Sequence, residues 1–284
     1  MFNNCFHLCT TALKDRLICA DDEDYKTVWN ALAVCAIVTK IKIYCLCLMS
    51  THLHILLAAP ADRISSFFHL FKQRLGIIYK NRNRRFPLNI LEYELFPIND
   101  RKAFCRETAY IIRNPYKAGI SGPFAYRWSS ACAYFNPYLD HGRDRDSFSC
   151  NELRAMLKTR YSLPGTVRLI DEIIAPTSLV DAAFVERMFN DSSILFFNMI
   201  RNWSLEAVVR ESHGQVVPEA YSDNEVQREI SLLCHNMLRV NSPSHLDRKA
   251  LGWLVRKIHA RFGCSRGQLL RLLPVDDFFL EQIL

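Results

Sequence analysis

Two histidines one residue apart, in the run Met49-Ser50-Thr51-His52-Leu53-His54-Ile55-Leu56-Leu57, are the first residues whose types and spacing could do chemistry. Side chains along a strand alternate between faces, so His52 and His54 share one face while Leu53 and Ile55 enter the core. Their Cα atoms then stand about 6 to 7 Å apart, close enough for two imidazoles to share one metal ion. An exposed His pair on an edge strand would show the same pattern.

The second group is Tyr110-Ile111-Ile112-Arg113-Asn114-Pro115. On a helix Tyr110 and Asn114 are i and i+4, so a phenol and a carboxamide project from one face. Pro115 is expected to stop that helix just after Asn114, leaving Tyr116 outside it. A Tyr packed at a helix end with Asn as its cap gives the same spacing. Two other metal chemistries fail on the histidine run. A histidine-triad nucleotide hydrolase needs a third His where Leu56 stands, and a metallo-β-lactamase needs an Asp followed by His shortly after, which are absent.

The elements that must position these groups follow from periodicity. Residues 6–10 read as a strand and residues 21–39 as a helix that opens on Asp21-Asp22-Glu23-Asp24. Residues 41–48 and 52–58 are apolar and strand-like. Residues 61–81 form an amphipathic helix with Ile64, Phe67, Phe68, Phe71, Leu75 and Ile78 on one side. A strand is expected within 87–96 and a helix over 101–113. The order βαββαβα describes an α+β, ferredoxin-like antiparallel sheet with helices on one face. Residues 1–134 are then a first domain. Residues 135–150, rich in Asn, Pro, Gly, Asp and Ser, read as a linker, and 151–284 as an all-α region.

With 284 residues, half of them hydrophobic, the chain can bury two cores. The eleven cysteines show no repeating spacing, and many sit in apolar stretches, as reduced thiols would. Cys45 and Cys47 lack a second pair at zinc-site spacing. No basic leader precedes an uninterrupted apolar stretch, so a cytoplasmic protein without a membrane partner is the expectation. The net charge is +7, and residues 1–149 carry 20 Lys/Arg against 13 Asp/Glu, so the excess lies in the N-terminal half and favours a polyanionic partner. Lys72, Arg74, Lys80, Arg82, Arg84 and Arg85 could track a nucleic-acid backbone or form a solvated helix face. His7 and His69 read as structural.

Over residues 6–130 the chain resembles the IS200-like single-tyrosine transposases of the HUH superfamily, and more closely their repeat-associated tyrosine transposase relatives. The resemblance is carried by Phe6-His7, Asp21-Asp22-Glu23-Asp24-Tyr25, Met49 with His52-Leu53-His54, Lys72-Gln73, Tyr110-Ile111 with Asn114-Pro115, Ala118-Gly119, and Trp128-Ser129-Ser130. It implies that His52 and His54 hold Mg²⁺ or Mn²⁺, that Asn114 replaces the family's helix-borne amide ligand, and that Tyr110 is the nucleophile on single-stranded or hairpin DNA, with a homodimer as one arrangement. Two departures bear on the DNA target and phosphate contacts more than on the reaction. Ser50-Thr51 stands where the family commonly has Pro-Asn, and the Phe-Gln-x-Arg element before the strand near residue 90 is absent.

Between Arg248 and Arg271 there are seven basic residues and no acidic one. A helix over 249–262, a turn at Gly263-Cys264-Ser265 and a second helix over 266–273 ending before Pro274 suggest a helix-turn-helix near 249–274. Its Arg266 and Arg271 would meet DNA, although any two-helix hairpin gives this pattern. Two rival readings are a non-catalytic DNA-binding regulator derived from a transposase, and an RNA-binding module on the same topology. The second would need aromatic rings where His52-Leu53-His54 stands.

Overall fold

The structure, a computed structural model of the chain, describes residues 2–10, 17–81, 91–139, 142–202, 209, 213, 223–262, 264 and 266–284. Two compact units divide it, Met1–Phe197 and Asn198–Leu284.

The first unit is built on seven elements in the expected order: β1 (Cys5–Thr10), α1 (Asp22–Val38), β2 (Lys42–Leu48), β3 (Leu53–Ala58), α2 (Ala61–Asn81), β4 (Tyr93–Pro97) and α3 (Arg101–Lys117). The sheet order is β2-β3-β1-β4 with every neighbour antiparallel. Two βαβ crossovers therefore interleave, each skipping one strand, which is the ferredoxin-like arrangement. Right-handed crossovers put α1 and α2 on the same face of the sheet. The third helix, α3, meets the other face, where Glu107 bonds His7 of β1.

Local chemistry explains the helix starts. Asp21 caps α1 by accepting from the Asp24 N–H, and Asp22, Glu23 and Asp24 complement the positive end of the helix dipole. Asp100 caps α3 in the same way, through the Ala103 N–H. The apolar side read for α2 is the buried one: Ile64, Phe67, Phe68, Phe71, Leu75 and Ile78 are all in the core.

Pro115 does not end α3, which runs on to Lys117. A proline inside a helix leaves the carbonyl four residues back without its usual donor. Here Asn114 Nδ2 donates to the Tyr110 carbonyl at 3.0 Å and approaches that of Ile111, the one Pro115 cannot serve, at 3.5 Å. Tyr116 is thus helical and half-exposed, and its six-residue offset turns it about 120° away from Tyr110. The chain leaves the helix through Gly119, whose φ of +67° suits the left-handed turn that follows a helix end.

The outer edge of β2 is covered by residues 126–134. Leu48 N–H donates to the Trp128 carbonyl at 2.8 Å, Leu46 N–H to Ser130 Oγ at 2.9 Å, and Tyr126 OH to the Leu48 carbonyl at 2.8 Å. Trp128-Ser129-Ser130 thereby protects an edge that would otherwise present unpaired backbone groups.

Residues 135–150, expected as a linker, belong to the first unit, and so does the stretch up to 197. Within it stands a second, three-stranded antiparallel sheet of β5 (Arg143–Asp144), β6 (Arg168–Ile170) and β7 (Ile173–Ile174), where a linker followed by helices was expected. Strands of two or three residues are too short to show a period of two. This sheet and α4 (Cys150–Leu157) cover α1. Trp29 Nε1 donates to the Ile174 carbonyl at 2.8 Å, Asn30 bonds the Glu172 carbonyl and the Ile174 N–H at 2.9 Å each, and Ala33 and Val34 join Leu153, Leu157, Leu169 and Ile174 in one cluster. Two more helices follow, α5 (Ala182–Met188) and α6 (Ser193–Arg201), and Phe196 of α6 is buried against Tyr134 and Phe189.

Among its described residues the second unit holds α7 (Asp223–Leu233), α8 (Arg248–Phe262), α9 (Arg266–Leu272) and α10 (Asp277–Ile283) around a core that includes Ile230, Leu254, Val255, Ile258 and Leu269. The two helices expected within 249–274 are α8 and α9. No helix among the described residues is long and apolar enough to cross a membrane.

Candidate active site

The face of the sheet under α3 carries the histidines. Alternation along β1 and β3, with Cys9 opposite His54 and His7 opposite Leu56, puts His7 and His54 on one face as diagonal neighbours. His52 lies just before β3, half-buried, with its ring centroid 4.9 Å from that of His54. From above, α3 presents Glu107, Tyr110 and Asn114 at i, i+3 and i+7, one stripe of a helix. The Tyr110 ring is 5.6 Å from His54 and 5.9 Å from His7. The carboxamide of Asn114 stands beside His52, close enough to favour its charged form, and Thr51 Oγ1 is 3.0 Å from His52 Nδ1.

The four residues singled out as nucleophile and metal ligands therefore converge: Tyr110, His52, His54 and Asn114. Burial pushes the His52 imidazole below its usual pKa, and the Asn114 carboxamide only partly opposes this, so the ring stays neutral with a lone pair near pH 7. The NH₂ of Asn114 is turned to the Tyr110 carbonyl, which leaves its oxygen as the atom facing His52. Two neutral nitrogens and one amide oxygen suit Mg²⁺ or Mn²⁺, with Mn²⁺ accepting nitrogen more readily. Being uncharged, these donors would leave the ion its full charge for a bound phosphate.

Three residues of this cluster escaped the sequence reading. His7, read as structural, has Nε2 3.0 Å from His54 Nδ1 and Nδ1 2.8 Å from Glu107 Oε2, and all three side chains are buried. Lys117, seven residues after Tyr110, holds its ammonium 5.8 Å from the Tyr110 ring centroid. The stripe Glu107, Tyr110, Asn114, Lys117, with spacings of three, four and three, was a signal available in the sequence. His69, by contrast, is exposed on α2 and bonds Gln73.

The described basic residues of α2 have different surroundings. Arg74 turns inward, donating to the carbonyls of Leu157 and Lys158 at 3.1 and 2.9 Å and to Thr159 Oγ1 at 3.3 Å. Lys72 pairs with Glu92 at 3.0 Å, and Lys80 is exposed near the end of α2. Arg82, Arg84 and Arg85 lie outside the described residues. In the second unit Arg266 pairs with Asp277 and Glu281, and Arg271 with Asp223. Arg271 and the Gln268 amide hold the Asp223 carboxyl below its usual pKa. Cys45 and Cys47 are buried, and burial pushes the Cys45 thiol up to about 12, which opposes the thiolate that zinc would need.

The class defined by fold and site is a ferredoxin-like α+β unit with a histidine pair on the sheet face that α3 covers and a tyrosine above it. Comparison with known proteins adds little to this. A solved structure of a REP-associated tyrosine transposase bound to a REP hairpin superposes on the chain at 16% identity with a TM-score of 0.41, covering 49% of this chain and 84% of that one. No protein-family model matches the chain. No curated protein matches it either.

Proposed function

We propose that this chain is a metal-dependent DNA strand transferase that nicks and rejoins single-stranded or hairpin DNA through a 5′-phosphotyrosine on Tyr110. The observation that carries the reading is the convergence of Tyr110, His52, His54 and Asn114 from residues 52 to 114 onto one sheet face. The sequence resemblance to single-tyrosine transposases assigns the same four residues the same roles.

A phenol with a reference pKa of about 10 is a weak nucleophile at neutral pH. His52, His54 and the Asn114 oxygen would hold Mg²⁺ or Mn²⁺, which would supply Lewis-acid polarisation of the scissile phosphate, a contribution of several kcal/mol. The Tyr110 oxygen forms a bond to phosphorus, the bond from phosphorus to the 3′-oxygen breaks, and the phenolic proton is in net given up as the 3′-oxygen leaves as a hydroxyl. Reversal by the same or another 3′-hydroxyl frees Tyr110, so strands are exchanged without an external energy source. The Lys117 ammonium adds positive charge where the phosphate must approach.

The test is incubation of the full chain with end-labelled single-stranded DNA from the sequences flanking its gene, with Mn²⁺, and a denaturing gel. A covalent adduct lost with Tyr110→Phe and with chelator is the expected result. Tight binding with no adduct under any metal would replace this reading with that of a non-catalytic DNA-binding regulator.

A further inference from the structure

Two buried polar side chains beside the site have no part in the chemistry above. Glu107 Oε2 is 2.8 Å from His7 Nδ1, and His7 Nε2 is 3.0 Å from His54 Nδ1, with the three residues at most 4% exposed. We infer that the chain Glu107–His7–His54 sets the tautomer of His54, so that the lone pair lies on its Nε2. The inference rests on His54 being a metal ligand, as proposed above.

A carboxylate can only accept, so the contact at Oε2 places a proton on His7 Nδ1. With one proton on that ring, His7 Nε2 is an acceptor, and the 3.0 Å contact takes its hydrogen from His54 Nδ1. One proton on His54 then leaves Nε2 bare. The opposite order would put hydrogen on the very nitrogen that must coordinate a cation. Ligating histidines are commonly oriented through their second nitrogen in this way, and loss of such an outer partner weakens metal binding about 10- to 100-fold. The tie extends the influence of α3 to the sheet: Glu107 and Tyr110 are one turn apart, so the helix that carries the nucleophile also selects the ligand's protonated nitrogen. Glu107 and His7 are positioning residues in this scheme.

The experiment uses the metal-free 284-residue chain with ¹⁵N-labelled histidine. Long-range ¹H–¹⁵N correlation reads the protonation of each ring nitrogen, with His54→Asn assigning the signals, and Mn²⁺ titration followed by electron paramagnetic resonance reads affinity. The expected result is His54 protonated at Nδ1 and bare at Nε2, and a 10- to 100-fold weaker Mn²⁺ affinity in Glu107→Gln, whose amide can donate as well as accept and no longer enforces the order. His54 protonated at Nε2 in the unaltered chain, or unchanged affinity in a folded Glu107→Gln, would overturn the inference. Should Glu107→Gln fail to fold, the tautomer of the unaltered chain decides alone. Failure of the functional reading looks different: no Mn²⁺ binding by the unaltered chain, with His54 Nε2 bare all the same. A merely structural Glu107 would lower the melting temperature without moving the tautomer.

Discussion

The sheet face under α3 and the helical C-terminal unit both hold residues that the sequence marked for chemistry, but the two treat them differently. On the sheet face Glu107, His7 and His54 are buried and tied to one another, Glu107 to His7 and His7 to His54. In the C-terminal unit Arg266 and Arg271 are exposed and tied to acids of their own surface, Asp277, Glu281 and Asp223. Desolvation makes the first set strongly directional, because a buried polar group must find a partner of fixed geometry. Surface ion pairs like the second set each contribute about 0 to 1 kcal/mol and impose little. Burial is therefore what separates a built constellation from a locally basic sequence.

Substitutions on each side test that contrast. The largest effect is expected from Tyr110→Phe, which keeps the ring in place and removes the attacking oxygen. Adduct formation should fall below detection, since deleting a covalent nucleophile can cost on the order of 10⁶ in rate. A phosphotyrosine adduct surviving in this variant would mean that another tyrosine reacts, with Tyr116 the first to check.

Next come His52→Ala and His54→Ala. Each should reduce nicking by roughly 10³, the loss of several kcal/mol of metal assistance, while binding of single-stranded DNA persists. Adding EDTA to the unaltered chain should reproduce the loss, and nicking indifferent to chelator would remove the metal from the scheme.

Arg74→Ala stands between the two regions in size. Losing three donor contacts to residues 157–159 should destabilise the protein by about 1 to 3 kcal/mol in a denaturant melt and leave DNA affinity unchanged. A normal melt with weaker DNA binding would restore Arg74 to a phosphate-contacting role.

The smallest effect is predicted for Arg266→Ala with Arg271→Ala. Stability should change by about 1 kcal/mol or less, and the salt dependence of DNA binding should not move. If the slope of log K against log salt drops by about 0.9 per arginine, these side chains leave their carboxylates for phosphates, and the helix-turn-helix reading of α8 and α9 gains ground.

What the sequence determined by itself was everything with a short period. The order of strands and helices through residue 117, the buried side of α2, the limits of α8 and α9, and the shared face of His52 and His54 were all legible, because alternation and the helical repeat act between residues a few positions apart. Tertiary structure decided the rest. The burial of α1 on several sides depends on β7 and α4, more than a hundred residues away, so its helical pattern gave no hint of a second sheet. α3 passes through Pro115 with the Asn114 carboxamide 3.5 Å from the orphaned Ile111 carbonyl, a contact no spacing rule announces. Arg74 looked like any helix-surface cation until the carbonyls of Leu157 and Lys158 were placed against it. His7 and Glu107, 100 positions apart, became partners of each other, and His7 of His54, only through the register of β1 on β3 and the docking of α3. A local rule can assign a face, but which residues meet across that face is settled by strand pairing and helix packing, where burial makes each polar contact compulsory.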